Sequence, residues 1–541
     1  MTTDDRSERS HIRPARLSVG WQLFNLENLT IALIAGITFA LRSYRLAATP
    51  LWLDEIYAYQ LGQLGIGAIF NNSLVDPQPP LYYLIQWITS GFGVFHNEWA
   101  WRWLAVVTGA STVLLTYRLA RMQGVGPIAA LLSCTLFAIC PTHIYFSQEA
   151  RPPAIGVCLS ALTTLLMWRI RSAPQQRSRW LTYTLVSLLG LYINYSFVLV
   201  VGVQLLYMFL FLRLYRRTLI YGCLILGLFV PIAVIGSRAM SSIASGSSNG
   251  SALTAIQAVQ SLLGGDLARY GLSWTHSWLA AMLCILILAG VWAGYRQGIL
   301  VTTIYYAIQI AVPFIGFFGF LSPVLHINLP LSEAKHFMFV LPPIFVLAAQ
   351  GIQQIVDYTR RNMTSKQAIG ASSTAAYVDA RAVFIGIGLV GIYASLIYAS
   401  GLNLQRYWNT TKSPEGLAVL DVRDHILPDD IIISDHYSLD AALSFYLPDV
   451  PHYTKPQFSS GSYLFSQSLS ILHARPIEQA SIPLNTIIGK HPRIWLLSLA
   501  PSDVKLVKKL DQFCALGSQQ LFGPFRVTLL ESCNNDTKTQ P

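Results

Sequence analysis

Two adjacent carboxylates, Asp54 and Glu55, lie in the stretch Leu51 to Gln60, among Trp52, Leu53, Ile56, Tyr57 and Tyr59. Acids in so apolar a setting are costly unless they are paired, ligated or solvated, so each needs a partner or a task. Asp54 can serve as a general base, because a free carboxylate oxygen within hydrogen-bond reach of an alcohol can take its proton. On a helix Glu55 points about 100° away from Asp54. The two then have different jobs, and for Glu55 the alternative to catalysis is a structural pairing with an arginine. A second polar knot is Gln148-Glu149-Ala150-Arg151-Pro152. Here Arg151 suits an anionic phosphate, and Glu149 suits a cation or a sugar hydroxyl. The plain alternative is that Glu149 and Arg151 pair with each other. Lys335 and His336 open an apolar run, where a helix start favours an anion. Snorkelling to the membrane surface is the competing reading. Asp76 and Arg269 complete the set of candidate substrate-binding residues. HExxH and the GxxxxGK[ST] phosphate loop are absent from the sequence.

The elements that must position these residues are set by composition. The 541 residues are 53% hydrophobic and only 12% charged, with mean hydropathy +0.46, far from an ordinary soluble domain. Apolar runs recur from residue 29 to about residue 400, each a candidate membrane span. They lie near 29–46, 100–120, 127–145, 153–170, 181–195, 197–214, 219–236, 278–295, 299–321, 337–356 and 383–400, about eleven in all. The run 81–93 is too short to cross and rich in Trp and Tyr, which suits an interfacial helix.

The net charge of +11 is dispersed in short clusters between apolar runs, the pattern of cytoplasmic membrane loops and not of nucleic-acid binding. With the N-terminus cytoplasmic, that side gathers Arg6, Arg9, Arg13, Arg16, Arg118, Arg121, the cluster Arg169 to Arg179, Arg213 to Arg217, Arg360 and Arg361. Asp54, Glu55, Asp76, the Gln148 to Arg151 knot, Arg269, Lys335 and His336 then share the opposite, extracytoplasmic face. The N-terminal tail, 1–28, lacks a signal-peptide pattern, so the first span is expected to stay.

A transmembrane domain over 29–401 is expected to be followed by an extracytoplasmic domain over 402–541. There Ile431 to Ile433 and Ile494 to Leu497 read as buried strands, and Ser413 as the cap of a helix beginning at Pro414. The expected fold is an α-helical polytopic membrane protein with interfacial helices in the first outer loop and a small C-terminal α/β domain. The Ser/Gly-rich stretch from Ser237 reads as part of a long outer loop to Ser277. Five of seven cysteines lie in apolar runs; Cys514 and Cys533 lie in the polar part, where a disulfide is an open option.

Four motifs in order carry a resemblance: Trp52-Leu53-Asp54-Glu55, Gln78-Pro79-Pro80-Leu81-Tyr82-Tyr83, Trp101-Arg102-Trp103-Leu104 and Phe146-Ser147-Gln148-Glu149-Ala150-Arg151-Pro152. Together they resemble bacterial integral-membrane glycosyltransferases of the GT-C class. The nearest branch is the family-39-like one (dolichyl-phosphate-mannose-protein mannosyltransferase-like), and the lipid A aminoarabinose transferase is a more distant match. The resemblance implies a polyprenyl-phosphate-linked sugar, mannose or similar, passed with inversion to a hydroxyl of a protein, glycolipid or glycan. It implies a multi-pass protein of the plasma (inner) membrane, with Asp54 as the catalytic carboxylate. Charge on the leaving phosphate would be met by Arg151, Lys335 or a divalent metal, for which Asp54 and Glu149 are the candidate ligands. The chain departs from many relatives at Pro77-Gln78 and at Lys335-His336. A transporter of a lipid-linked sugar is the rival reading. It would be expected to put ionisable groups near the bilayer midplane and often to show repeated halves, neither of which the sequence has.

Overall fold

The computed structural model describes residues 18–72, 78–92, 94–95, 97–244, 255–265, 271–315, 334–364, 380–450, 452–454, 474–476, 491–500, 510 and 513–533. The chain opens with a long helix α1 (Ser18–Ser43) and three short ones, α2 (Leu53–Gln63), α3 (Ile66–Asn72) and α4 (Pro80–Thr89). Then follow α5 (Glu98–Met122), α6 (Pro127–Ala138), α7 (Pro141–Ser147) and α8 (Pro152–Ser172). Further helices cover Arg177–Ile193, Phe197–Leu210, Tyr215–Ala244, Ala255–Gly264, Trp274–Arg296, Leu300–Phe314, Leu341–Thr364 and Ala380–Asn409.

The protein is a multi-pass helical membrane protein. Each of the eleven apolar runs is helical over at least part of its length, but fewer are full spans. Among the described residues seven helices are long and apolar enough to cross a bilayer, or eight if the bent pair α6–α7 counts as one. Phe197–Leu210 is apolar but shorter, and its 14 residues rise only about 21 Å against a core of about 30 Å; Leu300–Phe314 lies in the described part of the run 299–321. The expected outer loop from Ser237 also shrinks, because the helix beginning at Tyr215 continues to Ala244.

Burial sorts the helices by depth in the bundle. The apolar window of α8 is 83% buried and that of Met338–Thr359 is 78% buried, whereas that of α1 is 17% buried. Leu29 and Leu33 on α1, Leu288 on Trp274–Arg296 and Phe384 on Ala380–Asn409 stay exposed, as lipid-facing side chains should. Trp274–Arg296 and Leu341–Thr364 approach closely through Gly290 and Gly351. A Cβ on either glycine would collide with the backbone opposite, the small-residue contact that membrane helices use in place of a hydrophobic drive.

One buried cation inside the bundle has a structural cause. Arg42 is fully buried at the end of α1; its Nη1 donates to the carbonyls of Thr38 and Ala138, both at 3.1 Å, and its Nη2 lies 2.6 Å from His143 Nδ1. Ala138 ends α6, where the chain bends by 59° into α7, so the guanidinium caps carbonyls that the broken helix leaves open. The negative end of the α6 dipole offsets its charge.

The C-terminal domain carries a six-stranded sheet in the order β3-β2-β1-β4-β6-β5. Its strands are β1 (Ile431–Ser434), β2 (His452–Thr454), β3 (Ala474–Pro476), β4 (Ile494–Leu499), β5 (Ala515–Phe522) and β6 (Phe525–Glu531). The first four in that order are parallel, and β6 and β5 close the sheet antiparallel. Ile431, Ile433, Ile494 and Leu496 fill one core with Leu510 and Cys514, while Ile432 and Leu497 join the main core on the other face. That alternation is the period-two pleat. Cys514 and Cys533 are joined by a disulfide. The helix Pro414–His425 starts as its sequence predicts, with Ser413 Oγ accepting from Gly416 N at 3.1 Å.

Candidate active site

The site is built where the first connecting loop, the α7–α8 turn and the C-terminal domain meet. Its foundation is Arg102 on α5. Nε and Nη2 hold Glu55 Oε1 and Oε2 at 2.8 and 2.6 Å. Nη1 donates to the carbonyls of Leu46 and Thr49 at 2.7 and 2.8 Å, and Nη2 also to that of Pro50 at 3.0 Å. These five contacts match the five N–H groups of a guanidinium. One buried side chain therefore fixes both the loop from α1 to α2 and the acid at the start of α2.

Glu55 is saturated in turn. Beyond Arg102, its Oε1 accepts from Ala150 N at 2.7 Å and its Oε2 from Trp52 N at 3.2 Å. The second contact is half of a capping box, with the third helical residue reaching back to the N-cap amide. Burial pushes the carboxyl up, but the Arg102 guanidinium and its hydrogen bonds outweigh it, and Glu55 titrates below its ordinary value. Fully buried and held by four donors, Glu55 is a positioning residue. The expectation of a catalytic task for it is corrected by that geometry, which leaves no oxygen for a substrate proton.

Asp54 is different. Its carboxylate is 37% exposed, and Oδ2 lies 2.8 Å from Arg151 Nη1. Arg151 is 13% exposed, precedes Pro152 at the first turn of α8, and lies over the Trp52 ring at 5.1 Å from its centre. The expected alternative, a Glu149–Arg151 pair, is not the one formed; Arg151 turns outward to Asp54.

The rest of the α7–α8 turn points inward. Gln148 Nε2 donates to the carbonyls of Arg42 and Tyr44 at 3.0 and 2.8 Å, and its Oε1 accepts from Tyr407 Oη at 2.6 Å. Its amide is thus occupied at both ends, anchoring the turn to the end of α1. Glu149 is fully buried, has the Tyr145 side chain beside it, and faces Lys412 Nζ at 3.7 Å. Burial raises its carboxyl above the ordinary value, against the pull of Lys412 and Arg151.

Lys335 and His336 form a short 3-10 turn that packs on the helix Ala255–Gly264. Burial, then the charges of Lys335 and Arg151, hold the His336 imidazole down at about 3, so it is neutral and shares the electrostatic neighbourhood of Arg151. Asp76 and Arg269 lie outside the described residues.

Sequence reasoning missed three contributors. Arg102 stands inside one of the quoted motifs, yet nothing local marks it as the partner of Glu55. Lys412 and Tyr437 come from the C-terminal part. Burial and then the Asp54 charge raise the Tyr437 phenol, so that domain's helix Tyr437–Tyr446 lies in the electrostatic neighbourhood of Asp54. The domain also seats directly on the approach to α2. Leu51 N donates to Tyr446 Oη at 2.7 Å, Leu53 N to Glu415 Oε1 at 3.3 Å, and Ser413 Oγ to the Leu51 carbonyl at 3.0 Å.

A divalent metal does not fit the residues described. No three His, Cys, Asp or Glu side chains gather among the described residues, and each expected ligand already faces a cation, Asp54 facing Arg151 and Glu149 facing Lys412.

Residues 77–236 match the family model for dolichyl-phosphate-mannose-protein mannosyltransferase. No curated protein matches the chain. Among solved structures, ArnT from Cupriavidus metallidurans in the apo state is similar over 96% of this chain and 100% of its own, at 13% identity and TM-score 0.59. The same protein bound to undecaprenyl phosphate covers 97% and 100%, at 14% identity and TM-score 0.57. The archaeal oligosaccharyltransferase AglB from Archaeoglobus fulgidus, in complex with an inhibitory peptide and a dolichol-phosphate, covers 96% of this chain and 75% of its own, at 11% identity and TM-score 0.54. At such identities the likeness is one of fold. Residues 77–236 therefore resemble the dolichyl-phosphate-mannose-protein mannosyltransferases, and the chain as a whole shares the fold of ArnT and AglB.

Proposed function

We propose that the protein transfers a sugar, mannose or a similar hexose, from a polyprenyl-phosphate donor to a hydroxyl of a protein, glycolipid or glycan, with inversion. The observation that carries this reading is the asymmetry of the two neighbouring acids: Glu55 is buried and saturated, while Asp54 is partly open beside a single arginine. The reaction needs one carboxylate to accept a proton and one cation near a phosphate, and Asp54 with Arg151 supplies both. The acceptor hydroxyl gives its proton to Asp54 as its oxygen bonds the anomeric carbon. The bond from that carbon to the phosphate oxygen breaks, and polyprenyl phosphate leaves with the electron pair. Arg151 offsets the charge growing on the leaving phosphate, and Lys335 is the second candidate cation. The donor phosphate competes with Asp54 for Arg151, so donor binding frees the base.

The lipid character of the donor is supported by relatives of the fold, one bound to undecaprenyl phosphate and another to a dolichol-phosphate. An extracytoplasmic site in the plasma membrane is supported by the cytoplasmic grouping of the arginine clusters and by the Cys514–Cys533 disulfide, since such bonds persist in oxidising compartments. The test is transfer by the purified protein from polyprenyl-phosphate hexoses and from nucleotide sugars, with the product's anomeric configuration read by NMR. Inverted product from the lipid donor alone is expected. Transfer from the nucleotide sugar, or retention of configuration, would overturn the proposal.

A further inference from the structure

The four residues that end in Arg151 are held by three different parts of the chain. Gln148 is tied to the carbonyls that end α1, Ala150 N to Glu55, and Arg151 to Asp54. Glu149 alone is held by the segment that joins the helix Ala380–Asn409 to the C-terminal domain. Its partner there, Lys412, is 2% exposed, and the ammonium also lies 4.1 and 4.9 Å from the ring centres of Tyr145 and Tyr407. Next to Lys412, Ser413 and Glu415 bond Leu51 and Leu53. Residues 412–415 therefore grip both the approach to Asp54 and the turn that carries Arg151.

Arg151 has two carboxylates within its field, Asp54 outward and Glu149 inward. A fully buried carboxylate attracts any nearby cation strongly, because the low dielectric does little to screen it. Lys412 meets that demand from the other side. Without it, the nearest mobile cation able to compensate Glu149 is Arg151 itself.

We propose that Lys412 is a positioning residue for the transfer reaction: by neutralising buried Glu149 it keeps Arg151 turned outward to Asp54 and the donor phosphate, and so ties the reaction geometry to the docking of the C-terminal domain. This inference rests on the reading of Asp54 and Arg151 as the reacting pair.

The experiment compares kcat for lipid-linked sugar transfer in the wild type, Lys412→Met, Glu149→Gln and the double variant, with thermal unfolding recorded for each. Lys412→Met is expected to fold and to lose about tenfold or more in kcat, the order of loss that a misplaced catalytic group brings. Adding Glu149→Gln removes the inward attraction, and the double variant should return to within about threefold of Glu149→Gln alone, inside the two- to threefold scatter of single contacts across contexts. A double variant as slow as Lys412→Met would overturn the proposal, since Lys412 would then act independently of Glu149. So would Lys412→Met with unchanged kcat. If Lys412→Met does not fold, the double variant against Glu149→Gln decides alone: equal rates support the proposal and a tenfold deficit refutes it. Absence of transfer by the wild type would defeat the functional reading and this inference with it, whereas wild-type transfer without rescue would defeat only the role of Lys412.

Discussion

Asp54 and Glu55 are neighbours in sequence, and each is paired to an arginine, yet the two pairs are built in opposite ways. Glu55 and Arg102 are 0% and 1% exposed, with every donor of the guanidinium in use. Asp54 and Arg151 are 37% and 13% exposed, joined by a contact of 2.8 Å at the mouth of the site. A buried pair of the first kind is costly to break because either partner alone is an uncompensated charge. A half-open pair of the second kind adds little stability and can exchange partners. One helix start therefore carries a fixed acid and an exchangeable one, about 100° apart around the axis.

Breaking the fixed pair should have the largest effect. Arg102→Met leaves Glu55 buried and alone, and frees the carbonyls of Leu46, Thr49 and Pro50. A loss of about 3–5 kcal/mol is expected, visible as a fall in thermal unfolding temperature or in the yield of folded protein in detergent. Unchanged unfolding would mean that the pair is no foundation.

Breaking the open pair should separate activity from stability. Arg151→Met is expected to lower transfer about a hundredfold, as the loss of one charge-stabilising group does, while stability moves by about 1 kcal/mol or less. A loss of stability as large as that of Arg102→Met would erase the distinction between the pairs.

A third acid, Asp440, half-buried and with no cation partner among the described residues, sharpens the contrast. Burial and then its neighbour Asp435 raise the Asp440 carboxyl to about 8, with the Ser434 hydroxyl pulling it down. A folded value above the unfolded one, about 4, means that the neutral acid is what the fold accommodates. Stability should therefore fall as pH rises from about 4 to about 8 and level off beyond. Asp440→Asn should flatten that slope in unfolding measured across this range; an unaltered slope would contradict the assignment.

The smallest effect concerns the seam between the halves. Ser413→Ala removes the N-cap of Pro414–His425 and the bond to Leu51, and about 1 kcal/mol is expected. Because the seam approaches Asp54, donor turnover should be measured beside stability in that variant.

Much of the architecture was legible because the bilayer imposes a length on apolar runs. The sequence overcounted where a run continued past its helix. The helix from Phe197 ends at Leu210 and Arg213 takes a left-handed φ of 55°, a local break that hydropathy does not register. Strands β1 and β4 were legible as isoleucine- and leucine-rich runs, whereas β2 and β3, three residues each, carry too short a pattern to announce themselves. In the site, Asp54 and Arg151 stood out as charges in apolar settings. Glu55 stood out equally and was harder to assign, because its partner Arg102 lies on another helix and nothing in the local pattern pairs them. Lys412 was invisible for the same reason: its meaning comes from Glu149, nearly half the chain away.

The account turns on the difference between two adjacent acids, and the most direct test replaces each by its amide. Asp54→Asn and Glu55→Gln are purified in parallel, and transfer from the polyprenyl-phosphate sugar, binding of that donor and thermal unfolding are measured. Asp54→Asn should fold and bind donor as the wild type does, with transfer reduced by about 10²–10⁴-fold, the usual worth of a general base. Glu55→Gln should unfold at a markedly lower temperature. Full transfer by folded Asp54→Asn, or a stable Glu55→Gln, would contradict the account.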